Sequence, residues 1–185
     1  AGTWHPDYVP DKVEKLSATE LGDLAAASGC EFVVITGGEP AIHDLTELTA
    51  VLRGRGIPVH IETSGAFPLK GNFNWVTVSP KWDKMPLDES LQAADEIKIV
   101  VENGETIDRW LSLIGNSISA DTVWLIPEWS QRENPEVLNA ITVWVKDHGD
   151  PYRVGWQMHK LFNADSLDPN SRPLAPLGGK QENGY

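Results

Sequence analysis

The sequence has very little cysteine: Cys30 is the one thiol among its 185 residues. An internal disulfide is therefore impossible, and the chain cannot by itself build a metal centre from several thiolates. We accordingly predict no metal ligands within this chain.

Basic residues and long apolar runs are also scarce. Lys and Arg number 15 against 27 Asp and Glu, which gives a net charge of -12. Because a nucleic-acid groove needs a basic surplus, we expect no nucleic-acid partner. No apolar run approaches the roughly 20 residues that span a bilayer, and no signal segment opens the chain. We therefore expect a cytoplasmic protein with no membrane partner.

The sequence does contain a regular alternation of strand-like and helix-like segments. Apolar runs typical of buried parallel strands occur at residues 32–36, 59–62, 75–78, 96–101, 122–126 and 153–158. Ser17 and Glu20 have the spacing of a capping box, which predicts a helix there. Further helical patterns cover residues 45–52, 87–94, 106–114 and 135–146. Four tryptophans fit the core faces of these segments and are predicted to pack there: Trp75, Trp110, Trp124 and Trp144. The alternation predicts an α/β fold with a parallel sheet.

Polar residues, glycine and proline follow nearly every predicted strand, at residues 36–40, 62–65, 79–81, 102–104, 127–131 and 157–160. In a parallel sheet these ends lie on one side. A barrel gathers them around its mouth, whereas an open sheet gathers them along a crevice. Loops are polar in general, but six such clusters in register favour a binding site.

The most specific cluster is Thr36-Gly37-Gly38-Glu39-Pro40. Two glycines let a ligand approach the backbone closely, and Glu39 suits a ligand ammonium group. The alternative is a plain strand-to-helix turn in which Glu39 favours the positive end of the next helix.

Three further side chains allow a binding role and a structural one. Lys81 could bind a carboxylate as a compact point charge, or remain solvated. Gln157 and His159 are two residues apart and would share one side of a strand, where they could hydrogen-bond a heterocycle. Alternatively, His159 caps the strand.

Together these strand ends resemble the radical S-adenosylmethionine superfamily and, within it, the 7-carboxy-7-deazaguanine synthases. The matching stretches are residues 34–40 (VITGGEP), 61–65 (IETSG), 76–81 (VTVSPK), 96–98 (EIK) and 157–160 (QMHK). The resemblance implies a partial βα barrel of the radical S-adenosylmethionine type over residues 1–163, with residues 164–185 as an irregular tail.

The resemblance also implies an activity, cofactors and site residues. In such enzymes a 4Fe-4S cluster reduces S-adenosylmethionine, magnesium assists, and 6-carboxytetrahydropterin becomes 7-carboxy-7-deazaguanine with loss of ammonia, on the route to queuosine. The cofactor contacts carried over by motif are Gly37, Gly38, Glu39, Glu62, Ser64, Ser79, Pro80 and Lys81. The substrate contacts are Thr36, Gln157 and His159. An electron donor such as a flavodoxin and a homodimer are the implied partners.

The chain departs from the family in lacking three cysteines spaced Cys-x-x-x-Cys-x-x-Cys. We expect these ligands, the first strand and a magnesium-binding threonine to precede Ala1, and we expect the chain as given to be inactive in radical chemistry, because thiolates are the ligands that the cluster requires. Two other hypotheses remain open. One is a non-catalytic module that binds the cofactor or pterin, and the other is an unrelated βα lyase that uses Lys81 or Lys98 as a Schiff-base amine.

Overall fold

The computed structural model describes residues 15–158 of the chain. In this range the helices are α1 (Ala18–Ser28), α2 (Thr46–Gly54), α3 (Asp88–Gln92), α4 (Thr106–Ile114) and α5 (Pro135–His148). The strands are β1 (Val33–Ile35), β2 (Val59–Thr63), β3 (Trp75–Val78), β4 (Glu96–Val101), β5 (Thr122–Pro127) and β6 (Tyr152–Val154). They form one six-stranded sheet in the order β1-β2-β3-β4-β5-β6, and the sheet does not close. The predicted α/β class with a parallel sheet is confirmed.

The described residues divide into two compact units. The N-terminal unit contains residues 15–97 together with 117–121, and the C-terminal unit contains residues 98–116 together with 122–158. The N-terminal unit holds the ends of β1, β2 and β3, and the C-terminal unit holds those of β4, β5 and β6.

The core of the N-terminal unit lies between α1, α2 and one face of β1 and β2. Residues Leu52, Ile57 and Val59 form its centre, and Ala25, Val33, Ile35, Leu48 and Phe73 pack against them. Along β2 the buried side chains alternate with more exposed ones, because successive residues of a strand point to opposite faces. The face that carries His60 and Glu62 is consequently the one that these helices leave uncovered.

Helix α1 begins at the predicted capping box. Ser17 Oγ accepts a hydrogen bond from Glu20 N at 3.3 Å, and Ser17 N donates to Glu20 Oε2 at 2.7 Å. The helix ends at Gly29, whose φ of 68° is left-handed and suits a residue without a Cβ. Both ends of the helix are thus encoded locally.

The C-terminal unit packs α4 and α5 against its strands. Trp110 on α4 is only 1% exposed, and Val123 and Leu125 on β5 are fully buried. The ring of Tyr152 meets the ring of Trp144 edge-on, with their centroids 5.8 Å apart. The C-terminal unit therefore has apolar packing of its own.

Two details of the sequence prediction are wrong. Strand β6 ends at Val154, not at Met158. Gly155 N still donates to Leu125 O at 2.9 Å, but Met158 N then turns back onto Trp156 O at 3.0 Å, so the chain leaves the sheet. Trp75 is not a core residue, since 38% of its surface is exposed.

Candidate functional site

Glu39 is the organising residue of the loop that follows β1. The chain leaves the strand through Gly37, whose φ of 133° is a backbone conformation that residues with a Cβ rarely adopt. Glu39 then caps a 3₁₀ turn, Pro40–Ile42, by accepting a hydrogen bond from Ala41 N at 3.0 Å. This bond agrees with the alternative in which Glu39 favours the positive end of the next helical turn, and the carboxylate has further partners.

The end of β2 supplies the other partners of the Glu39 carboxylate. Thr63 Oγ1 donates to Glu39 Oε1. Ser64 N donates to Oε2 at 2.7 Å, and the Ser64 hydroxyl donates to the same oxygen. With Ala41 N, four donors converge on one carboxylate, which equals the number of lone-pair sites that it has. The loops after β1 and β2 are consequently joined through a single side chain.

This set of donors keeps Glu39 ionised. Burial on its own raises the pKa of the carboxyl, but the hydrogen bonds from Ser64, Thr63 and Ala41 together outweigh that effect and hold the pKa below the usual value. A carboxylate with a lowered pKa is a poor general base near neutral pH. Glu39 is suited to holding a fixed negative charge, not to moving a proton.

The loop after β3 joins the same group of strand ends. Ser79 N donates to Thr63 O at 2.8 Å, which continues the pairing of β2 with β3. Lys81 Nζ lies 3.4 Å from Ser79 Oγ and donates to it, while Pro80 between them is buried. The structure therefore brings together the predicted residues Gly37, Gly38, Glu39, Ser64, Ser79, Pro80 and Lys81 at adjacent strand ends of one unit.

The remaining predicted residues have different surroundings. Thr36 is exposed immediately after β1, and Glu62 is exposed on β2, on the face opposite Ile61 and Thr63. Gln157 is half-buried, lies beyond the end of β6 and belongs to the C-terminal unit. The expectation that Gln157 and His159 share one side of a strand fails for Gln157, because β6 has already ended. His159 lies outside the described residues.

Sequence reasoning missed two residues. Thr63 lies inside a motif that was recognised, yet its hydroxyl proves to be a direct partner of Glu39 and was not assigned. Glu128 follows β5 and has one carboxylate oxygen, Oε1, that is buried and has no hydrogen-bond partner among the described residues. The available signal for Glu128 was its place in the polar cluster after that strand, but a single acidic residue there is not specific.

The described residues offer few ligands for a metal ion or an iron–sulfur cluster. Cys30 is exposed, and its Sγ lies 3.5 Å from Ala25 O. Among residues 15–158 no group of three or more His, Cys, Asp or Glu side chains is placed to hold a metal ion. Since the whole sequence has one cysteine, the residues present do not fit a cluster that needs several thiolates. No helix within the described range has both the length and the apolar character to cross a membrane.

Comparison with known proteins gives a consistent result, although no family model matches the sequence. A 7-carboxy-7-deazaguanine synthase from Synechocystis is 36% identical over 161 residues, which cover 86% of this chain and 73% of the relative. An enzyme of the same name from Flavobacterium psychrophilum is 36% identical over 135 residues, covering 71% of this chain and 61% of the relative.

A solved structure agrees with these relatives. The crystal structure of QueE from Escherichia coli superimposes with a TM-score of 0.65 at 31% identity, over 77% of this chain and 64% of that protein. The predicted partial barrel is thereby confirmed as the fold class. The chain accounts for between about three fifths and three quarters of the length of these relatives.

Proposed function

Because the chain belongs to the 7-carboxy-7-deazaguanine synthase family, we propose that it forms the cofactor- and substrate-binding body of a radical S-adenosylmethionine lyase. The reaction proposed is the conversion of 6-carboxytetrahydropterin to 7-carboxy-7-deazaguanine with loss of ammonia. The observation that supports the proposal best is the ionised Glu39, held between the strand ends of β1 and β2 next to the loop of Ser79 and Lys81.

The methionine end of S-adenosylmethionine fits these residues chemically. It carries an ammonium and a carboxylate, and the loops offer one group of each opposite sign, Glu39 and Lys81. The Ser64 hydroxyl can rotate away from Glu39, so an arriving ammonium would take over part of the hydrogen bonding that the hydroxyl now provides. In radical S-adenosylmethionine enzymes this cofactor supplies a 5′-deoxyadenosyl radical.

The residues of this chain would contact the cofactor and the pterin directly, independently of the cluster. Glu39 would hold the ammonium group without accepting its proton, because the pKa of its carboxyl is lowered. Gly37 and Gly38 would let the ligand approach the backbone, and Lys81 would pair with the carboxylate. Thr36, Gln157 and His159 are proposed contacts of the pterin.

Calorimetric titration of the 185-residue chain with S-adenosylmethionine tests this assignment. We expect Glu39→Gln to weaken binding at least about tenfold, because it removes the charge that pairs with the ammonium. Glu47→Gln is the matched control, since Glu47 is an exposed carboxylate on α2. A wild-type chain that does not bind the cofactor, or a Glu39→Gln variant that binds as tightly as wild type, would contradict the proposal.

The single cysteine supports a second candidate, a non-catalytic module that binds the cofactor or pterin without iron. Reconstitution of the purified chain with iron and sulfide distinguishes the two. The binding-module candidate predicts no iron–sulfur absorbance together with intact calorimetric binding, whereas stoichiometric cluster assembly would reject it.

Family membership argues against the unrelated lyase built on Lys81 or Lys98. Magnesium, a flavodoxin donor, a homodimer and a cytoplasmic location stay predictions.

A further inference from the structure

The loop after β3 folds back on itself in a short turn. Lys81 and Lys84 form an isolated antiparallel bridge, and Trp82 and Asp83 are the two corner residues between them. Two-residue turns between antiparallel segments favour glycine at a corner, because the backbone there needs a positive φ. This turn has no glycine, so its own sequence gives it little support and contacts from outside the turn matter more.

The bridge places two positively charged side chains on the same face. Bridge partners of an antiparallel pair have Cβ atoms about 4.5–5.5 Å apart, and like charges in this arrangement repel each other. The two ammonium groups have different partners. Lys81 Nζ donates to Ser79 Oγ at 3.4 Å, whereas Lys84 Nζ lies 3.4 Å from the centre of the Phe67 ring. The aromatic face therefore receives one of the two charges, and the other is directed toward Ser79.

Phe67 belongs to the loop after β2, and that loop is joined to the loop after β3. Leu87 N, which follows the turn, donates to Gly65 O at 2.9 Å. Phe67 is half-buried, while Lys84 is exposed apart from its contact with the ring. The cation–π contact consequently ties the turn of residues 81–84 to the loop that follows β2.

We propose that Lys84 is a positioning residue for S-adenosylmethionine: its contact with Phe67 holds the turn so that Lys81 meets the carboxylate of the cofactor. This inference rests on the proposed function, in which Lys81 pairs with that carboxylate. A turn that is held before the ligand arrives does not have to be ordered during binding, so less of the binding free energy is lost. When the contact is removed, the fraction of molecules with Lys81 in place falls, and the apparent affinity falls by the same factor.

Calorimetric titration of the full chain with S-adenosylmethionine and with decarboxylated S-adenosylmethionine tests the proposal. The second ligand keeps the sulfonium and the amino group but has no carboxylate for Lys81. Lys84→Met keeps a long apolar side chain and removes the charge. We expect it to weaken S-adenosylmethionine binding about two- to fivefold, which corresponds to an exposed cation–π contact of ordinary strength. The affinity for the decarboxylated ligand should equal that of wild type.

Three further variants serve as rescue, partner and control. Lys84→Arg keeps a cation that can lie over the ring, and it should bind S-adenosylmethionine as tightly as wild type. Phe67→Leu should weaken binding as much as Lys84→Met does, and the double variant should be no weaker than either single one, because both remove the same contact. Lys146→Met is the matched control: Lys146 is an exposed lysine in the last turn of α5, so this variant removes the same charge and should leave both affinities unchanged.

The Lys81→Met background shows whether Lys84 acts through Lys81. In that background Lys84→Met should cause no further loss of S-adenosylmethionine affinity, whereas a further loss would mean that Lys84 meets the ligand itself. Unchanged affinity in Lys84→Met, an equal loss for both ligands, or a Lys84→Arg variant as weak as Lys84→Met would also overturn the positioning role. In each of these cases the cofactor site stands, since wild type binds; if wild type does not bind S-adenosylmethionine, the proposed function fails together with this inference.

Discussion

Replacing Thr63 by valine isolates the hydrogen bonding that joins the first two strand ends. Thr63 is only 4% exposed, and its hydroxyl donates to Glu39 Oε1 while accepting a hydrogen bond from Gly65 N at 3.0 Å. Valine has nearly the same shape but can make neither bond. The substitution therefore removes a donor to a charged group and leaves the buried Gly65 N–H without a partner.

The expected cost follows from these two losses. A hydrogen bond to a charged group contributes about 1.5–3 kcal/mol, and an unsatisfied buried N–H costs about 1–3 kcal/mol. Because Glu39 is partly accessible to water, the lower ends apply, and we expect Thr63→Val to lower the free energy of unfolding by about 2–3 kcal/mol. The pKa of Glu39 should rise at the same time, since Thr63 is one of the donors that lower it.

Urea unfolding of the full chain measures this cost, with Thr63→Ser as the matched control. Serine keeps the hydroxyl and loses one buried methyl group, so we expect a loss of about 1 kcal/mol. If the Thr63→Val variant is as stable as the Thr63→Ser variant or more stable, the hydroxyl does not join the strand ends and the reasoning is refuted.

Further predictions concern pH, capping and the core. Because the pKa of Glu39 is lowered in the folded protein, the contribution of its carboxylate to stability is present above the usual pKa of 4.5 and is lost as the pH falls through the folded-state pKa. The urea midpoint should therefore fall less steeply with decreasing pH in Glu39→Gln than in wild type. The same dependence of the midpoint on pH in both proteins would contradict this. Ser17→Ala should lower the free energy of unfolding by about 1 kcal/mol through loss of the α1 cap, and no loss in urea unfolding would argue against that cap. Leu52→Ala, at a site 1% exposed, should cost about 2–5 kcal/mol in the same assay, whereas a cost below 1 kcal/mol would show a loosely packed core.

The alternation of elements was predictable because it is written locally. The capping box at Ser17 and the apolar run that became β4 each depend on residues close in sequence. The end of β6 was not predictable in this way, because Gly155, Trp156 and Gln157 continue the apolar and polar pattern of the strand while the backbone turns away. Trp75 was misassigned for a similar reason: hydrophobicity alone does not say which face of a strand a helix covers.

The candidate site was predictable as a set of loops but not as a set of bonds. The glycines and Glu39 stand out in the sequence, and the resemblance placed Ser64, Ser79 and Lys81 beside them. That Thr63 and Ser64, more than twenty residues away, would fill the acceptor positions of Glu39 depends on how β1 and β2 align. That Glu128 Oε1 has no hydrogen-bond partner among the described residues likewise becomes visible only once the turn after β5 has been built.

The central claim is that the loops after β1, β2 and β3 receive the methionine end of S-adenosylmethionine. A crystal structure of the chain with that ligand tests it most directly. We predict that the ligand ammonium lies within hydrogen-bond distance of Glu39 and the ligand carboxylate near Ser79 and Lys81. A ligand bound elsewhere on the chain, with the hydrogen bonds of Glu39 to Ser64 and Thr63 undisturbed, would contradict the account.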